Sequence, residues 1–111
     1  MYNREETFEY CKRVSQELEQ YIDGDILNDD GEQASIYDYM NDILDYEITI
    51  DSSMNYKSCK VYVTLGGPTC WIDTADYMVK LRWGTDEAGY FLNPAIVEEI
   101  DSYFEELYLC R

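Results

Sequence analysis

Between residues 46 and 83, four short runs in succession place apolar side chains at every second position, and no other feature constrains the fold as much. In YEITID (46–51), Tyr46, Ile48 and Ile50 alternate with Glu47, Thr49 and Asp51. Across 59–65, Val61, Val63 and Leu65 share one face and Lys60, Tyr62 and Thr64 the other. Residues 69–74 set Cys70, Ile72 and Thr74 against Trp71 and Asp73; residues 78–83 set Val79, Leu81 and Trp83 against Met78, Lys80 and Arg82. A two-residue period is the mark of a half-buried strand, and polar or Gly-Pro turns separate the runs. The expectation is an antiparallel meander of four strands. Residues 90–92, after the polar turn GTDEAG, either add a fifth strand or lead straight into a helix.

On both sides of this block the period changes to that of a helix. Over residues 4–22, Tyr10, Cys11, Val14, Leu18, Tyr21 and Ile22 recur at steps of three and four. DGDILNDDGE (23–32) ends that helix in an acidic loop. A shorter helix is expected over 34–44, with Ile36, Tyr37, Met40, Ile43 and Leu44 turned inward. The last helix, 94–108, is the best signalled: Asn93 suits the N-cap, Pro94 the first helical position, and Glu98 and Glu99 the positive end of the dipole. Its apolar stripe is Val97, Ile100, Phe104, Leu107 and Tyr108. These elements predict a single α+β domain of 111 residues, with two N-terminal helices and one C-terminal helix covering a four- to five-stranded antiparallel sheet.

Charge limits what such a domain can bind. Acidic residues outnumber basic ones 24 to 8, for a net charge of −16 with no histidine, while 46% of residues are apolar. That much apolar material excludes a disordered acidic tail. The field repels nucleic acid and anionic membranes and attracts basic surfaces. No basic segment followed by an apolar run opens the sequence, and no stretch reaches the ~18 apolar residues of a membrane span, so a cytoplasmic protein is expected. Cys11, Cys59, Cys70 and Cys110 have neither the spacing nor the histidine partners of a zinc site, and are expected as buried or half-buried free thiols.

Catalytic patterns fail one by one. Nucleophilic serine or cysteine chemistry needs a neighbouring base, most often histidine, and there is none. The acidic loop fails as a calcium loop: starting at Asp23, the glycine position is taken by Asn28 and the fifth position by Leu27. Gly66-Gly67-Pro68 fails as a phosphate cradle, because a strand follows it where a helix N-terminus is needed. A carboxylate-dependent hydrolase is the remaining enzymatic alternative, but with 24 acids, close pairs arise by chance. No catalytic residue, metal site or cofactor is predicted.

What remains is surface charge. Residues 1–33 carry ten acids and three bases; residues 93–111 carry five and one. On the last helix Glu98, Asp101 and Glu105 line one outward face, with Glu99 and Glu106 at the flank. Carboxylates four residues apart rise about 6 Å along the axis, comparable with the spacing of phosphates along a nucleic-acid strand. Like charges at that spacing mildly destabilise a helix, so helix stability alone does not favour them.

The segment V-x-V-T-x-G-G-P-x-x-W-I-D-T, then a strand ending in R-W-G, then a helix ending in F-E-E-L-Y, resembles small acidic proteins carried by phages and conjugative elements of gut Firmicutes. The likeness covers residues 61–111. It implies a mobile-element origin and a bacterial host cell, and a resemblance to anti-CRISPR and antirestriction inhibitors, some of which mimic DNA. The expected function is then a non-catalytic inhibitor of a defence nuclease, a CRISPR effector first and a restriction enzyme second. It would occupy the basic nucleic-acid site of its target without binding nucleic acid or membrane itself. The expected contact residues are Glu98, Asp101, Glu105 and Glu106, with Asp23, Asp25, Asp29 and Asp30 as a second patch. The alternative is an acidic interaction or regulatory module whose charge is simply solvated.

Overall fold

A computed structural model describes residues 4–28 and 30–110. The elements in order are α1 (Arg4–Asp23), α2 (Ile36–Met40), β1 (Asp45–Ile50), β2 (Tyr56–Thr64), β3 (Thr69–Asp73), β4 (Met78–Trp83), β5 (Asp86–Phe91) and α3 (Pro94–Leu109). The strands form one antiparallel sheet in sequence order, and all helices pack on the same side of it. The result is a slab of 42 × 41 × 23 Å, the thickness expected for one helical layer on one sheet.

In β2, β3 and β4 most inward positions are those the alternation predicts, whereas in the edge strand β1 Tyr46 and Ile50, assigned inward, are exposed and only Ile48 is half-buried. Cys59, Val61, Cys70, Ile72, Val79 and Leu81 are buried under α1 and α3. From α1 come Cys11, Val14 and Leu18; from α3 come Ile96, Val97, Ile100 and Phe104. Cys59 is so enclosed that burial pushes its thiol up to about 11. The Cys11 thiol beside it and burial likewise raise Cys70, so both groups stay protonated within the core.

Polar side chains join the layers at points invisible to a periodicity argument. Ser15 on α1 donates to the Phe91 carbonyl at 2.8 Å, and the Asn93 amide donates to Glu19 at 3.2 Å. The buried Thr74 hydroxyl accepts from the Cys59 amide at 2.9 Å and seals the edge of the β3–β4 turn. Asn93 caps α3 as expected, its side chain accepting from the Ala95 amide at 2.9 Å.

Several expectations need correction. The fifth strand exists and is longer than residues 90–92: Asp86–Phe91 pairs along β4 from Trp83 to Met78, so the GTDEAG turn shrinks to Gly84 and Thr85. Here Gly89 sits opposite Lys80, with the flexible end of the Met78 side chain packed over the space a Cβ would take. The second helix spans five residues, not eleven. Ser35 begins it, the Asp38 carboxylate accepting from the Ser35 amide at 2.7 Å, and by Asn41 the chain has already turned toward β1. Tyr37 and Leu44, assigned inward, are exposed, since only Ile36 and Met40 of so short a helix reach the core.

Leu65, placed in the core by the alternation, is 52% exposed. The cause is a bulge: Tyr62 pairs with Trp71 but Thr64 pairs with Cys70, so Val63 is the extra residue and the alternation slips by one beyond it. Leu107 is exposed as well, and of the four cysteines Cys110 is exposed, not buried. No described helix is long and apolar enough to cross a membrane.

Candidate functional site

The acidic face of α3 is built on a helix whose stripe is fixed by the core. With Val97, Ile100 and Phe104 pointing at the sheet, the 3.6-residue repeat turns Glu98, Glu105 and Ser102 to solvent and leaves Asp101 half-buried at the boundary. Glu98, Asp101 and Glu105 then border one shallow depression of about 470 Å³, whose other wall is Tyr56, Lys57 and Tyr77. From Glu98 to Glu105 the helix rises about 10 Å.

Asp101 is the ordered member of this row. The Tyr56 hydroxyl donates to it at 2.6 Å, linking α3 to the start of β2. Burial, followed by this bond to a carboxylate, drives the Tyr56 hydroxyl well above its ordinary value, so Tyr56 stays a donor throughout the physiological range. The bond to a charged acceptor holds one carboxylate in place, while those of Glu98 and Glu105 stand free of the sheet.

Five carboxylates and no base lie on α3, and none of the ion pairs among the described residues involves it. Those pairs gather on the opposite, uncovered face of the sheet. There Lys80 joins Asp73 and Asp76, and Arg82 meets Glu87 at 2.8 Å. The Asp76 and Asp73 carboxylates raise the Lys80 ammonium further, and Lys80 in turn lowers Asp76.

Glu106 does not belong to the row. It faces the other flank of α3, beside Tyr37, Tyr103, Leu107 and Cys110. The second predicted patch is also separate: Asp23, Asp25 and Asp30 are exposed at the end of α1 and in the loop after it, and Asp29 lies outside the described residues. Within that loop Asn28 is the organiser, its side-chain oxygen accepting from the amides of Asp30 (2.9 Å) and Glu32 (3.1 Å), while Leu27 bridges Gln33. The acidic loop is thus a small closed turn. Among the described residues no group of three or more His, Cys, Asp or Glu could hold a metal ion.

The sequence reading missed Tyr56, Lys57 and Tyr77. They lie 45 and 24 residues away from Asp101 along the chain in the case of the two tyrosines, and nothing local to either marks it as a neighbour. The WIDT motif resolves into scaffold: Ile72 is core, Trp71 stacks obliquely near Tyr62 on the open face, Asp73 holds Lys80, and Thr74 holds Cys59.

Comparison with known protein families, with curated proteins and with solved structures returned no match.

Proposed function

We propose that the protein is a non-catalytic inhibitor that presents α3 as an acidic surrogate for nucleic acid to the basic channel of a bacterial defence nuclease. A CRISPR effector is the first candidate and a restriction enzyme the second. One observation carries the reading: Glu98, Asp101 and Glu105 form a row on one side of α3 and enter none of the ion pairs among the described residues, whereas on the open sheet face Lys80 and Arg82 are paired with Asp73, Asp76 and Glu87. A row of carboxylates outside any ion pair costs the fold self-repulsion, offset only at Asp101 by the Tyr56 hydroxyl, while it is complementary to a surface built to bind phosphates. The resemblance of residues 61–111 to small acidic proteins of mobile elements supports the same direction. Lys57 lies at the margin of the row and Tyr77 supplies an amphipathic ring beside it, as aromatic residues do at many interfaces.

The test is DNA cleavage by a purified, guide-loaded CRISPR effector and by a restriction enzyme, titrated with the protein. Inhibition should be competitive with target duplex. Association should slow steeply between about 0.1 and about 0.5 M salt, as the screening length shortens from ~10 Å to a few ångströms. Inhibition that is indifferent to both salt and duplex concentration defeats mimicry and leaves the interaction-module alternative.

A further inference from the structure

On the far flank of α3 lies a second surface of different chemistry. Tyr37 from α2 and Tyr103 from α3 are in ring contact, with centroids 5.2 Å apart, and Tyr46 packs on Phe104 at 5.0 Å. Around them two adjoining depressions, about 210 and about 290 Å³, meet at Tyr103 and Leu107 and together make up a grooved surface from Leu44 to Cys110. Its lining is largely apolar yet open to solvent: Tyr37 is 47%, Leu44 60% and Leu107 40% exposed. Exposed leucines and tyrosines are ordinary when scattered, but here they are contiguous and overlie buried aromatic packing.

The rim selects the occupant. Asp45 and Glu106 border the groove, and Asp38 and Asp42 stand on and just after α2. The segments that build it, residues 36–46 and 103–110, contain five acids and no lysine or arginine. A second copy of this chain would bring −16 against −16. An acidic or neutral partner would leave the rim uncompensated. A helix with leucine or aromatic residues on one face and lysine or arginine flanking them satisfies both features at once: the apolar face enters the groove and the flanking cations meet the rim.

We propose that the groove between α2 and the C-terminal half of α3 docks a basic amphipathic helix of a partner protein. This surface stands apart from the Glu98–Asp101–Glu105 row and does not depend on the reading of that row as a DNA surrogate. Its apolar seat would also make contact here far less sensitive to salt than contact at the row.

The probe is a synthetic amphipathic helix of lysines and leucines, compared by calorimetry with a shuffled peptide of the same composition and with a version carrying glutamate for lysine. The wild-type chain should bind one amphipathic basic peptide at least about tenfold more tightly than either control. The double variant Leu44→Ser, Leu107→Ser should lose about tenfold, whereas Leu65→Ser, which removes an exposed leucine at the β2–β3 turn, should change binding less than about twofold. Equal affinity for shuffled and amphipathic peptides, or unchanged affinity in the double variant, overturns the proposal, because the peptide is then held by diffuse charge. Should the double variant fold poorly, amide shifts on titrating the wild-type chain decide: changes confined to residues 37–46 and 103–110 uphold the groove, and changes centred on residues 23–32 or 94–101 overturn it. Sedimentation showing that the unliganded chain self-associates through this face also overturns it, since the occupant would then be a second copy.

Discussion

The two faces of this slab treat charge in opposite ways. On the uncovered sheet face, cross-strand geometry places unlike charges in register: Lys60 opposite Asp73, Arg82 opposite Glu87. On the helical face, α3 repeats carboxylates along one side with no base in sixteen residues. A sheet brings distant parts of the chain side by side, so opposite charges can be matched across strands. A surface helix chiefly sees its own neighbours three and four residues away, and here those neighbours are again acids. The lesson is that net charge alone says little about where a protein is poised to bind; the unpaired part of it does.

The deepest way to break the contrast is to remove what seats the helical face on the sheet. Phe104 is fully buried, and Phe104→Ala should cost about 3–5 kcal/mol in urea denaturation, releasing the C-terminal part of α3 and with it both candidate surfaces. Next in size is charge reversal on the row itself. Glu98→Lys with Glu105→Lys should weaken binding to a basic nuclease site by tenfold or more, about 1.4 kcal/mol or above, with thermal stability nearly unchanged because both side chains are exposed. Unchanged inhibition by a well-folded variant would leave the row as mere solvated surface.

Tyr56→Phe removes the hydroxyl that fixes Asp101 and should cost about 1.5 kcal/mol. It also sharpens a pH effect. The Tyr56 hydroxyl is raised in the folded state, so above the unfolded value of about 10 the unfolded chain holds fewer protons and stability falls as pH rises. Stability measured from pH 9 to 11 should therefore decline less steeply in Tyr56→Phe than in the wild type. A parallel decline would mean that neither burial nor Asp101 raises the hydroxyl in the folded chain. Asn93→Ala follows at about 1 kcal/mol, from the lost cap at the start of the acidic helix. Smallest is the open face: Arg82→Ala with Glu87→Ala should shift stability by less than about 1 kcal/mol, since that pair is 60% and 64% exposed. A large loss there would mean that the paired face, not the acidic one, is the costly construction.

Much of the architecture was legible because it rests on short-range rules. The alternation between 46 and 83, the Asn93-Pro94 start of α3 and the stripe of α1 each reflect how a strand or helix presents one face to a core. Legibility failed where one residue changes phase or where a short element depends on its surroundings. A single bulge at Val63 sent Leu65 outward, and the second helix ends after five residues where the pattern suggested eleven, because by Leu44 the backbone already donates to the Tyr62 carbonyl of β2 at 3.0 Å. The candidate site divides the same way. That Glu98, Asp101 and Glu105 share a face with Glu106 at its flank follows from helical spacing, but that Glu106 borders a different depression, beside Tyr37 of α2, is set by tertiary packing.

The sequence by itself thus determined an α+β domain with an antiparallel meander, a strongly acidic surface and an α3 devoid of bases. Periodicity and composition are properties of neighbours along the chain. Only the tertiary structure decided that Tyr56 reaches Asp101 across 45 residues, that Lys80 and Arg82 are paired with carboxylates on one face, and that Tyr37, Tyr103 and Leu107 meet in an acid-rimmed groove. Those are contacts between segments far apart in sequence, and they exist only once the buried stripes of all the elements have been satisfied together.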